Sequence, residues 1–151
     1  MSDNIILRVV SKMFIPFILL FALYVQFHGD YGPGGGFQAG VIFAAGFVLY
    51  ALVWGIEEAK RVAHPNILQW AGAIGILLYA GTGAASFFLG GNFLDYGVLD
   101  HHDPVHGQHL GILLVELGVG ITVAAVMTSA FFCFAGRRPM SGPTDDGGDA
   151  R

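Results

Sequence analysis

One acidic residue interrupts a long apolar part of the chain. Glu116 lies six residues into residues 110–134, which contain no other charged side chain. In a helix rising ~1.5 Å per residue, it would lie about 9 Å below the start of that stretch. An ionised carboxylate at such a depth costs about 3 kcal/mol unless it is paired, hydrated or protonated, so Glu116 is a candidate proton or cation site. The alternative is a protonated side chain that is hydrogen-bonded to a neighbouring helix.

Histidines precede this stretch at spacings that suit one face of a helix. On a continuous helix, imidazoles at i, i+4 and i+7 could bind Zn²⁺. Together with nearby carboxylates they could instead form a titratable, acidic mouth that attracts cations, because histidine changes charge near neutral pH. The third alternative is a solvated loop. The histidines are His102, His106 and His109, and the carboxylates are Asp100 and Asp103.

Two residues in this segment predict a break in the helix. Pro104 and Gly107 both disfavour a helix that continues through it. The H-E-x-x-H signature of a catalytic zinc site is also missing from the sequence. We therefore predict neither a metal site nor a cofactor. His109 lies seven residues before Glu116, on the same helical face, and is a weaker candidate for proton exchange.

A glycine-rich segment follows the first apolar stretch. Gly34, Gly36 and Ala39 fit the spacing of a dinucleotide-binding fingerprint, and Glu57 follows about 20 residues later. That fingerprint requires a preceding strand and a βαβ unit, whereas apolar stretches flank this segment. A Walker A loop is excluded because no Gly-Lys-Ser/Thr follows.

The same glycines suit a tight turn in which another backbone approaches closely. Gly36 and Gly40 form G-x-x-x-G, a motif that packs helices in membranes. Whether the turn only packs, or also presents N–H groups to an ion path, stays open at this point. The predicted packing turn is Pro33, Gly34, Gly35, Gly36, Phe37 and Gly40.

Composition indicates which elements must position these residues. Hydrophobic residues make up 54% of the 151 residues and charged residues 12%, about half the share of ~25% in soluble domains. Disorder is excluded, because it needs low hydrophobicity and high charge. Nucleic-acid binding is not favoured at a net charge of −4 without a basic block. The single cysteine, Cys133, excludes an internal disulfide and a cysteine cluster.

Four apolar stretches are long enough to cross a bilayer, which takes about 20 helical residues. They are apolar on every face, unlike the helices of soluble proteins. We therefore predict an all-α integral membrane protein with four transmembrane helices and a membrane domain over residues 1–136. The remaining residues, 137–151, are predicted to be a disordered cytoplasmic tail. The predicted spans are 9–27, 37–56, 67–89 and 110–134.

The positions of the basic residues predict the orientation. With four spans, every basic residue falls on one common side, and the connecting segments 28–36 and 90–109 contain none. The positive-inside rule then places both termini in the cytoplasm. The basic residues are Arg8, Lys12, Lys60, Arg61, Arg137, Arg138 and Arg151.

With these motifs in hand, the chain resembles the MnhB family, the B subunit of Mrp-type multisubunit Na⁺/H⁺ antiporters. The most specific element is Pro-Gly-Gly-Gly-Phe-Gln at 33–38, and the resemblance covers roughly residues 5–134. It departs from the family pattern at Ala39, where a glycine is expected, and at Glu116, where an aspartate is expected. The matching segments are 7–8, 28–29, 32–42, 50–51, 90–94, 109–111 and 116–119.

The resemblance implies a small accessory subunit in the cell membrane, and not an enzyme. Such a subunit packs against a large complex-I-like subunit and other small membrane subunits, in a complex that exchanges Na⁺ or another monovalent cation for H⁺. It would be needed for assembly and could line the ion path. One buried acid and no internal repeat make transport by this chain alone improbable.

Two other functions stay open at this point. The chain could be a structural membrane subunit of a related redox-driven ion-pumping complex of the membrane-bound hydrogenase type. It could also be a stand-alone membrane enzyme that uses the His/Asp segment 95–109 with a metal.

Overall fold

The computed structural model describes residues 5–29, 32–99 and 103–136. Within these ranges the chain is helical and contains no strand. The helices are α1 (Ile5–His28), α2 (Gly36–Trp54), α3 (Ile56–Val62), α4 (Pro65–Phe88) and α5 (Pro104–Ala135), with a short 3-10 helix at Tyr96–Leu99. The predicted tail lies outside the described residues.

Four of the described helices are long and apolar enough to cross a membrane. These helices, α1, α2, α4 and α5, confirm the predicted all-α membrane fold with four transmembrane helices. In a bilayer only a helix or a closed barrel satisfies the backbone hydrogen bonds, so apolar stretches of this length become helices. The short helix α3 links the second and third of these helices.

Local residue chemistry sets the helix boundaries. Gly55 has φ 98°, a left-handed conformation that glycine adopts without strain, and it separates α2 from α3. At the start of α4, the His64 side chain accepts a hydrogen bond from the Asn66 N–H at 3.3 Å. At the start of α5, an Asp103 carboxylate oxygen accepts one from the Val105 N–H at 3.0 Å.

Of the two residues predicted to interrupt the helix, Gly107 does not, because it lies within α5, whereas Pro104 is the residue at which α5 begins. Pro104 is in the first turn of α5, which continues unbroken to Ala135. Proline is tolerated there because the first-turn N–H has no partner within the helix anyway. Gly107 donates its N–H to the Asp103 carbonyl oxygen at 3.1 Å, an ordinary helical bond. His106 and His109 therefore both lie on α5, whereas His102 is outside the described residues.

Helices α2 and α5 lie side by side at the centre of the bundle; α1 packs on α2, and α4 packs on α5. Small residues allow the close approach. A methyl group added at Gly40 would lie 2.6 Å from the Gly120 carbonyl oxygen and 2.8 Å from the Val123 Cβ. Lipid tails are as apolar as leucine, so close van der Waals contact of this kind holds membrane helices together.

The two ends of the bundle differ chemically. One end, called the basic end, carries α3 with its Glu57–Lys60 and Glu58–Arg61 ion pairs at 3.3 and 2.8 Å. A buried cluster of Ala51, Ala59, Ala63 and Phe132 attaches α3 to α2 and α5 there. The opposite end carries the turn between α1 and α2.

We expect Gly40→Ala to lower the stability of the protein by about 1–3 kcal/mol, because the added methyl group must separate α2 from α5. Thermal unfolding of the purified protein in mild detergent measures this. Gly81→Ala is the matched control, since no atom lies within 4 Å of the added methyl group. Equal unfolding temperatures for the two variants would contradict the close α2–α5 contact.

Candidate functional site

Glu116 and the glycine-rich segment meet at one place. The segment, called the glycine turn, consists here of Gly29 and residues 32–36. A methyl group at Gly29 would lie 2.5 Å from the Glu116 Oε2, and one at Gly35 would lie 2.9 Å from the Oε1. At Gly36 it would overlap the Glu116 carbonyl oxygen. Because Gly29, Gly35 and Gly36 have no side chains, the Glu116 carboxylate has room beside the turn.

The glycine turn also locates the carboxylate along the bundle. Helix α2 has 19 residues, which give it a length of ~28 Å, close to the ~30 Å of the hydrocarbon layer. Gly36 is its first residue, so Glu116 lies level with the start of α2. About three turns of α5, ~18 Å, precede it. The sequence prediction of ~9 Å inside the span assumed that the span begins at residue 110.

A cavity of about 190 Å³ lies beside the carboxylate, between the end of α1 and the first turns of α5. Its polar lining residues are Gln26, His106, His109 and Glu116. We call it the polar cavity. The structure thus brings His109 and Glu116 to one space, and it adds His106 from the same helix.

Gln26 is a member of this site that sequence reasoning did not select. Its side chain is 5% exposed, and its Nε2 has no hydrogen-bond partner in the described part of the chain. Its Oε1 lies against Gly120, one helical turn beyond Glu116. A buried donor without a partner costs about 1–3 kcal/mol. The only signal in the sequence is a polar residue in an apolar stretch.

The segment before α5 holds the first turns of that helix in place. Tyr96 packs on Gly111, where any side chain would overlap its ring. Burial, with a smaller effect from Tyr79, raises the pKa of Tyr96 above 10.0. Tyr96 therefore stays neutral at physiological pH and adds no charge near the cavity. Leu94, in the left-handed region at φ 65°, and Phe93 pack against Gly83 of α4.

The described residues contain no group of three or more side chains that could hold a metal ion. His106 and His109 are exposed on α5. His102, which completed the zinc alternative, and Asp100, which belonged to the predicted acidic mouth, lie outside the described residues.

Taken together, four membrane-length helices and a carboxylate at a glycine turn define a multi-pass membrane protein. A family model described as a domain related to the MnhB subunit of Na⁺/H⁺ antiporters matches residues 6–129. The chain belongs to this MnhB family, as the resemblance in the sequence predicted.

Individual relatives agree with the family model. A Staphylococcus haemolyticus protein named as an antiporter subunit, mnhB2, is 32% identical over 137 residues, which are 89% of this chain and 96% of the relative. A Staphylococcus aureus protein with the same name is 33% identical over 139 residues, 91% of this chain and 98% of the relative. The similarity therefore covers nearly the full length of both relatives.

Alanine at Gly35 and at Gly36 should have different effects. At Gly36 the methyl group meets the backbone of Glu116, so α2 and α5 must separate, and we expect a loss of about 1–3 kcal/mol. At Gly35 it meets the end of a flexible side chain, which can move aside, so the loss should be smaller. Thermal unfolding of both variants in mild detergent tests this order. A larger loss at Gly35 would contradict the described contact.

Proposed function

We propose that Glu116 is the proton- or cation-responsive carboxylate of this chain, an accessory membrane subunit of a multisubunit Na⁺/H⁺ antiporter. One observation carries the proposal. The carboxylate lies under the backbone of the glycine turn and beside a cavity that two histidines also line. Apolar helices surround this site, and ionisable residues in such positions commonly mark ion or proton paths.

The cavity supplies the connection between Glu116 and the histidines. His109 lies seven residues before Glu116, which corresponds to ~10 Å along the helix and is too far for direct proton transfer. Water in the polar cavity would bridge this distance with hydrogen bonds. The His109 imidazole can both accept and donate a proton through its ring nitrogens. His109 would exchange protons where the polar cavity opens. Glu116 would bind and release protons at the inner end of the same cavity.

The proposal requires partner subunits. Apart from Glu116, the described part of the membrane-crossing helices offers few polar groups, and a complete ion path needs a set of ligands. The apolar window of α1 is only 11% buried, so most of this helix faces lipid or other chains. We propose that these surfaces pack against the large complex-I-like subunit and other small membrane subunits, and that the chain is needed for assembly.

The orientation is part of the same proposal. Lys60 and Arg61 lie at the basic end of the bundle, and the glycine turn lies at the other end. By the positive-inside rule, the basic end faces the cytoplasm, together with both termini. The polar cavity then opens toward the outside, where protons enter in exchange for cytoplasmic Na⁺.

We expect Glu116→Gln to reduce Na⁺/H⁺ exchange at least about tenfold, because an amide neither binds nor releases a proton at physiological pH. Exchange is measured as the Na⁺-dependent pH change in vesicles that contain the whole complex. Co-purification of the other subunits checks that the complex still assembles. Glu57→Gln is the matched control at an exposed carboxylate of the basic end. Unchanged exchange at every pH tested would leave Glu116 with only a structural role.

Cysteine labelling tests the orientation. In a Cys133→Ala background, Arg61→Cys and Asn92→Cys each place one thiol at an exposed position, on α3 and on the α4–α5 connection respectively. A membrane-impermeant maleimide added to intact cells should label the second variant and not the first. Labelling of both from the same side of the membrane would contradict the four-span topology.

A further inference from the structure

Gln26 lies where two cavities meet. One is the polar cavity beside Glu116. The other, the apolar groove, has a volume of about 340 Å³ and lies between α1, α2, α4 and α5. Gln26 is the residue common to both linings. The groove extends from there past Thr128 to Ala63, near the basic end.

The groove lining contains little else that is polar. Of its described residues, Gln26 and Thr128 have polar side chains, and the Thr128 hydroxyl already donates to the Ala124 carbonyl oxygen at 2.8 Å. For a proton that enters through the polar cavity, the Gln26 amide is therefore the last side chain able to offer a new hydrogen bond before the apolar groove.

The amide of Gln26 has unused hydrogen-bonding capacity. Its Nε2 is buried and has no described partner. A glutamine amide both donates and accepts, and its terminal torsion is broad, so either end can turn toward the cavity at low cost. The Oε1 already lies beside Gly120, one turn along α5 from Glu116. The amide and the carboxylate thus approach the inner part of the polar cavity from α1 and α5.

We propose that Gln26 is a positioning residue that holds a water molecule against the Glu116 carboxylate. The amide N–H donates to the water oxygen, and the water donates to a carboxylate oxygen. A buried water needs two to four polar partners and about 10–15 Å³ of accessible space, and this cavity provides both. A proton arriving through the cavity water passes from that water to the carboxylate, leaving neutral water and a neutral acid, while the amide keeps its protons.

This inference rests on the proposed function of Glu116, and the experiment separates the two. Gln26→Leu and Gln26→Met remove the hydrogen bonds but keep a side chain of similar size, and Gln69→Leu makes the same chemical change at an exposed site on α4. All are made in the complete antiporter complex. We expect both Gln26 variants to assemble normally and to lose at least tenfold in exchange, with Gln69→Leu close to wild type.

Infrared difference spectra provide a readout that a purely structural role would not change. On changing the protonation of the complex, wild type should show a water O–H band that shifts when H₂¹⁸O replaces water. The band should disappear in Gln26→Leu and in Glu116→Gln.

Three results would overturn the inference: exchange in Gln26→Leu within twofold of wild type, persistence of the isotope-sensitive band, or failure of both Gln26 variants to assemble. If Glu116→Gln lost exchange in the same preparations, the proposed function would still stand. Normal exchange in Glu116→Gln would instead refute the proposed function itself.

Discussion

The contact between Gly36 and the backbone of Glu116 is the constraint on which the described bundle depends. Here the first turn of α2 lies directly on α5, with no side chain between the two backbones. Gly40 and Gly120 continue the same close contact one turn further along. In a bilayer the hydrophobic effect does not favour one pairing of helices over another. Close van der Waals contact therefore has to determine which helices pack together. Any larger residue at Gly36 would separate the two central helices.

The same contact gives the acidic residue its surroundings. A glycine turn leaves room for a carboxylate where any other sequence would place side chains. Because the turn lies at the start of α2, the carboxylate is level with the first residue of a helix that is about long enough to cross the apolar layer. There it can be hydrated from the polar cavity and still be enclosed by protein. The close packing of α2 on α5 and the space for the Glu116 carboxylate are thus two consequences of one short segment.

The exposed apolar surface and the scarcity of polar groups also explain why such a small chain acts as part of a complex. The described helices contain little that is polar, and most of α1 is exposed to its surroundings. Gln26, His106, His109 and Glu116 line one cavity at the end opposite α3. One of them, Gln26, carries a buried donor that nothing in the described part of the chain satisfies. The free-energy cost of this buried donor can be offset in the assembled complex by contacts between subunits and by bound water.

The sequence by itself determined the fold class, the family and most of the candidate site. Apolar stretches of bilayer length must form helices, because the backbone has no other hydrogen-bond partners in lipid. Glu116, His109 and the glycine segment were identifiable because their residue types are rare or specific in such surroundings. The predicted break at Gly107 failed because a single glycine is tolerated inside a helix, and Pro104 lies in the first turn of α5, where proline is favoured.

Only the tertiary structure decided that the glycine turn lies on Glu116, and that Gln26 joins them. Those contacts bring together residues far apart in the chain. They depend on which faces of the helices pack together and on how the helices are shifted along their axes. Helices that are apolar on every face have no periodic pattern that would indicate the packed face.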